Sequence, residues 1–122
     1  MALNKVQAGA RQIDTLALAC SDPAVPASGG PVRFGTKCGV ALVNEDTAGL
    51  TTVDITTSEF NLSVKGIDGA GNSAVVLFDL IYYTDADTPK LSKKATGTLF
   101  GMAMATVGSS LTATIKVLKF GV

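Results

Sequence analysis

The chain has 122 residues, two cysteines, no histidine, and ten basic against ten acidic side chains. That length suits one domain, residues 1–122, able to bury roughly two thirds of its unfolded surface without a metal or a disulfide, and the balanced charge excludes a net field that would draw nucleic acid or an anionic membrane. A hydrophobic fraction of 47% and a mean hydropathy of +0.37 hint at an exterior partly covered by other subunits, although small residues such as alanine supply much of that fraction.

In chain order, the opening "MALNKVQAGARQIDT" has no apolar core of secretion-signal length, and no run approaches the ~18 apolar residues of a membrane span. The protein is therefore expected to be made and kept in a cytoplasm. Residues 1–10 set a lone Val6 among Asn4, Lys5, Gln7 and Gly9, a pattern for an edge strand or an arm ordered by a partner. Strands follow at 12–20, 32–34, 39–43, 50–56, 59–64, 74–83, 99–105 and 112–120, rich in Thr, Val, Ile and aromatic residues. The last, "TATIKVLKF", is the clearest: Ile115 and Val117 take one face, Thr114, Lys116 and Leu118 the other. Between Thr56 and Phe60 the apolar parity switches from odd to even, which predicts a bulge or bend that keeps both sets on one core. Polar turns at 21–31, 44–49, 68–72, 84–90 and 108–110 punctuate the rest. Short, evenly spaced strands without a helical segment predict an all-β fold, a small β-barrel or β-sandwich.

Chemistry-bearing patterns are sparse. A phosphate-binding P-loop needs G-x-x-x-x-G-K-[ST] between a strand and a helix, because the lysine charge, the hydroxyl for magnesium and the amide-rich helix end act together. "GIDGAG" at 66–71 continues into Asn72, Ser73 and a strand, and "GTKCG" at 35–39 lacks the spacing. These glycines read as residues taking positive φ in hairpin connections. Without histidine there is no Ser-His or Cys-His nucleophile. The carboxylate pairs Glu45/Asp46 and Asp85/Asp87 sit in polar turns where solvation keeps carboxylates ordinary, and the second pair lacks the rest of an EF-hand loop. Cys20 and Cys38 read as buried thiols, with no zinc site or disulfide framework. Lys93 and Lys94 read as solubilising surface cations, since a nucleic-acid surface wants more cations interleaved with aromatics and the chain has five Phe, two Tyr and no Trp. Asn61 opens an N-x-S sequon inside a strand and is expected to stay unmodified. Tyr82 and Tyr83 are expected on opposite faces. Neither enzymatic activity nor a cofactor is expected.

Several blocks resemble the tailed-bacteriophage capsid cement, or head decoration, family of small β proteins, once labelled predicted RecA-like recombinases. They are "NKVQAG" at 4–9, "FGTKCGVALV" at 34–43, "FNLSVKG" at 60–66, "FDLIYYTD" at 78–85, "LSKKATGTLFGMAMATVGS" at 91–109 and "TATIKVL" at 112–118, which together span most of the chain. Phe78 departs from the family pattern, which places Gly before the Asp, so the turn entering "LIYY" is expected to differ. Neither glycine-rich loop suits a nucleotide triphosphate, against the recombinase label.

The resemblance implies a fold of β-clip or β-tulip type with a short N-terminal arm, and a structural protein of the virion. Similar proteins sit on the outer surface of the icosahedral head, commonly as homotrimers, and clamp copies of the major capsid protein. No nucleic acid, membrane or cofactor enters that role. On this reading Ala2, Leu3, Asn4, Lys5, Val6 and Gln7 are candidate capsid-binding residues, adding a strand to a capsid edge. Asp22, Pro23, Val25, Pro26 and Pro31, in the Pro/Gly-rich loop, are candidates for contact with the capsid or a sister subunit. Another small β virion component, of the tail tube or head completion, is the alternative.

Overall fold

The structure, a computed structural model, describes residues 15–121. Within them the fold is all-β, with eleven strands: β1 (Thr15–Leu18), β2 (Pro31–Phe34), β3 (Lys37–Ala41), β4 (Thr51–Asp54), β5 (Ser58–Lys65), β6 (Ile67–Asp68), β7 (Gly71–Asn72), β8 (Leu80–Tyr83), β9 (Leu91–Ser92), β10 (Thr98–Ala103) and β11 (Thr112–Lys119). Five close a barrel in the order β10-β11-β5-β9-β8; four form an antiparallel sheet, β1-β4-β3-β2; β6 and β7 make a small hairpin.

The barrel is built around the long β5/β11 pair, in register from Ser58↔Lys119 to Lys65↔Thr112. Alternation places Leu62, Val64, Ile115 and Val117 inward, where they pack with Ile81, Tyr83, Leu91 and Phe100. The two-residue β9 closes the ring, running parallel to β5 and antiparallel to β8. Tyr83 is buried and Tyr82 half-buried, as the strand period requires.

A second core, Val32, Ala41, Val53 and Ile55, lies in the four-stranded sheet, with Leu18, Cys20 and Phe34 packed against it. The parity switch is therefore not a bend around one core: Val53 and Ile55 serve the sheet, Leu62 and Val64 the barrel. The join is an Asx turn in which Asp54 Oδ1 accepts from Thr56 N at 2.8 Å and Thr56 Oγ1 at 2.7 Å.

β3 lies between the two cores. Cys38 and Val40 point into the barrel, while Ala41 belongs to the sheet core. Gly39 takes the crowded side: a Cβ there would drive into Val53 Cγ1 and lie 2.7 Å from Asp54 O and 3.2 Å from Phe34 Cε1. The side chain must be absent for β4 to close on β3.

Three elements depart from expectation. The apolar run 74–83 is a strand only at β8. Val75 makes an isolated bridge to Val107, and residues 76–79 form a turn in which Asp79 N donates to Val76 O and Asp79 Oδ2 accepts from Val76 N. Of the glycines at 66, 69 and 71 only Gly71 has a positive φ, +143°; the β6/β7 hairpin turns through Gly69 and Ala70, with Asp68 Oδ1 accepting from Ala70 N and Gly71 N. Cys38 is buried but Cys20 only half-buried, and burial pushes the Cys38 thiol up to about 12.

At the seam between the cores, Lys119 continues the inward parity of β11 and is fully buried. Its Nζ donates to Thr56 O and lies 3.7 Å from Asp54 Oδ1, so the ammonium is held by the same turn that ends β4. Burial lowers its pKa and Asp54 opposes that.

Gly101 sits at the bulge where β10 shifts register against β8. A Cβ there would drive into the Leu118 carbonyl oxygen and lie 3.0 Å from Lys119 Cα, both backbone atoms that cannot swing away. Gly101→Ala is expected to destabilise the fold by about 3 kcal/mol or more, read by denaturant unfolding; an unchanged midpoint would show that the two strands separate freely.

Candidate functional site

Two surfaces stand out, a cleft and an apolar turn. The cleft, about 440 Å³, lies between the 21–31 loop and the outer face of the barrel. Pro23, Val25, Ala27 and Pro31 form one wall, Asn61, Ser63 and Thr114 of β5 and β11 another, and Pro89 and Lys90 one end. The polar wall follows from strand alternation: with Leu62 buried, Asn61 and Ser63 face out, and Ser63 pairs with Thr114 across the ladder.

The loop is held in place, not slack. Gly29 N donates to Ala41 O and Ala41 N to Gly30 O, Ser28 N donates to Asn44 Oδ1 and Ser28 Oγ to Leu42 O, and the Pro26 carbonyl accepts from Glu45 N. Its other end is clamped to the barrel. Asp22 Oδ2 accepts from Tyr83 Oη at 2.5 Å and Lys90 Nζ at 2.9 Å, and the Lys90 ammonium lies 5.8 Å from the Tyr83 ring centroid. Next to it, Arg33 Nε and Nη2 make a two-pronged contact with Asp85 at 2.8 Å each, while Nη1 donates to Gly35 O. Arg33 holds the Asp85 carboxyl below its ordinary range; the pair is part-exposed and worth at most about 1 kcal/mol.

Of the loop residues singled out from sequence, Pro23, Val25 and Pro31 come together on the cleft, with Val25 73% exposed. Asp22 is the clamp beside it, and Pro26 is buried beneath the loop. Ala2, Leu3, Asn4, Lys5, Val6 and Gln7 lie outside the described residues. The carboxylates in turns have structural partners: Asp46 Oδ1 accepts from Ala48 N and Leu50 N, and Asp87 pairs with Lys94. The two lysines read as surface cations are likewise engaged, Lys94 with Asp87 and Lys93 with Asp79, Ser73 Oγ and the Ala74 carbonyl. Among the described residues no cluster of three or more Cys, Asp or Glu is placed to hold a metal ion.

The second surface was not apparent from sequence. Val76, Leu77 and Phe78 are all exposed in the turn before β8. Beyond them, Leu80 lies directly across from Met102 and Met102 from Leu118, so three outward apolar side chains form a row over β8, β10 and β11. Phe78 is 60% exposed and holds φ +72°, a backbone that glycine adopts freely and a bulky L-residue rarely does. The run of apolar letters hid this turn from periodicity; its signals were Asp79, which caps it, and the family pattern's Gly at the position of Phe78, where the backbone takes a positive φ.

No protein-family model, curated protein sequence or solved structure matches this chain.

Two outcomes follow from these contacts. At a protein concentration low enough that the chain is monomeric, Phe78→Gly is expected to raise stability by about 1 kcal/mol, because the left-handed backbone no longer works against a Cβ and the lost ring is mostly in solvent; a lower thermal midpoint of the monomer would mean the ring is needed inside its own fold. For Tyr83, burial first and the Asp22 carboxylate second raise the phenol well above its ordinary pKa. A folded pKa above the unfolded value of ~10 gives stability that is complete below that value and lost as pH climbs toward the folded one. In a Tyr82→Phe variant, phenolate absorbance is expected to appear only together with alkaline unfolding; reversible ionisation near 10 in the folded state would contradict the clamp.

Proposed function

We propose that the chain is a structural capsid decoration protein of a tailed bacteriophage. It binds the outer surface of the head, stabilises the major capsid protein lattice and acts without catalysis or cofactor. The resemblance in sequence is the basis of this reading, and its blocks fall on the framework of the fold: "FGTKCGVALV" runs from the end of β2 through β3, "FNLSVKG" lies mostly on β5, "LIYY" is β8 and "TATIKVL" lies on β11.

The observation that supports the mechanism is the character of β1. Among the described residues β1 is the outer strand of its sheet, its Thr15, Leu16 and Ala17 are exposed, and "TLAL" has neither charge nor proline to discourage pairing. Residues 2–9 then add to a strand edge of the capsid protein through backbone hydrogen bonds, a mode that asks little of side chains. Binding to the expanded shell in preference to its free subunits stabilises that shell by linkage. Several copies bridging several capsid subunits multiply modest contacts.

The test is binding to expanded heads of the parent virus, with co-sedimentation and shell-disruption temperature as readouts. The full chain is expected to co-sediment and raise that temperature, and deletion of residues 2–9 to lower occupancy at least ~10-fold while circular dichroism stays unchanged. A full chain that stays in the supernatant overturns the function, and undiminished occupancy of the deletion variant overturns the arm.

A further inference from the structure

We propose that copies of this chain join head to tail, the Val76–Phe78 turn of one copy seated in the cleft of the next. The turn is an apolar knob and the cleft a slot with one apolar wall, Pro23, Val25, Ala27 and Pro31, and both are fixed by hydrogen bonds on the same chain. They flank β8: residues 76–79 enter the strand, and Pro89 and Lys90 follow the segment that leaves it. β8 lies between them, and the hydrogen bonds that hold the turn and the cleft loop keep a copy from filling its own slot with its own knob.

Charge fits this pairing. Val76, Leu77 and Phe78 carry none, and the neighbouring Asp79 is already engaged by Val76 N and by Lys93 at 3.3 Å. The one cation lining the cleft among the described residues, Lys90, is held by Asp22 and by the Asp85 carbonyl. Closing the contact strands no unpaired charge, the condition that most often defeats a buried interface. Area fits as well. Val76, Leu77, Phe78 and the adjoining Leu80 are each roughly half exposed and present on the order of 400 Å² of apolar surface, about half of the ~800 Å² each side of a standard interface. Phe78 adds a further sign: an aromatic ring is held outward on a backbone that disfavours it, and such outliers gather at ligand clamps and contact sites.

A contact between two unlike patches leaves a free knob and a free slot until the chain of copies closes on itself. This rests on the same reading as the proposed function, whose underlying resemblance implies a homotrimer. It is measured without any capsid, so its failure and a failure of head binding are read separately.

The experiment uses two variants of the full chain and sedimentation equilibrium. Phe78→Asn keeps a residue that tolerates positive φ, and Val25→Glu alters a side chain that is mostly in solvent, so both are expected to fold. Wild-type protein is expected to form a closed assembly of fixed mass. Each variant alone is expected to associate at least ~30-fold more weakly and to run as a monomer. Mixed in equal amounts they are expected to form a one-to-one dimer, because one supplies an intact slot and the other an intact knob, and growth stops there. A monomeric wild type, either variant that still assembles alone, or a mixture that stays monomeric would overturn the proposal.

Discussion

The fold rests on one missing side chain in a strand that serves two masters. β3 is buried on both faces, with Cys38 and Val40 in the barrel and Ala41 in the sheet core, and only glycine at position 39 lets β4 lie close enough to complete the second core. A strand shared in this way makes the barrel and the sheet one packing problem. Burial of Lys119 belongs to the same seam: its ammonium is tolerable because the Asp54–Thr56 turn, which passes the chain from one core to the other, offers both a carbonyl and a carboxylate.

From that seam outward the surfaces acquire their shapes. With β3 inside, β2 and the loop before it are pressed against the barrel wall, and the Tyr83–Asp22–Lys90 and Arg33–Asp85 contacts hold them there. The cleft is the space left between two rigid walls. The apolar turn has a comparable origin: Phe78 N donates to Ala103 O and Ala103 N to Asp79 O, so the end of β10 fixes a turn whose side chains have no core left to enter.

Much of the fold was legible because alternation survives wherever a strand has one wet and one dry face. β5 and β11 show it plainly, and each expected strand within the described residues has an observed counterpart. What could not be read were features whose cause lies across the fold. The two-residue β9 has no period, and its pairing with β5 and β8 depends on a closure no local pattern states. The parity switch at 56–60 was visible, but one core and two cores produce the same letters. Lys119 set a charge on the inward face of β11 without announcing its partner 63 positions away. At the cleft, Pro23, Val25 and Pro31 were found through composition, whereas Asn61, Ser63 and Thr114 looked like any solvated strand face until the loop was laid over them.

The β6/β7 hairpin contributes no residue to either core and turns through two exposed residues, with Asp68 capping the turn and the Ile67/Asn72 pairing holding its base. Lengthening a loop adds entropy only as the logarithm of its length. Foreign peptide spliced between Gly69 and Ala70 would therefore ride on the molecule at small energetic cost, which makes this corner a natural place for an insertion.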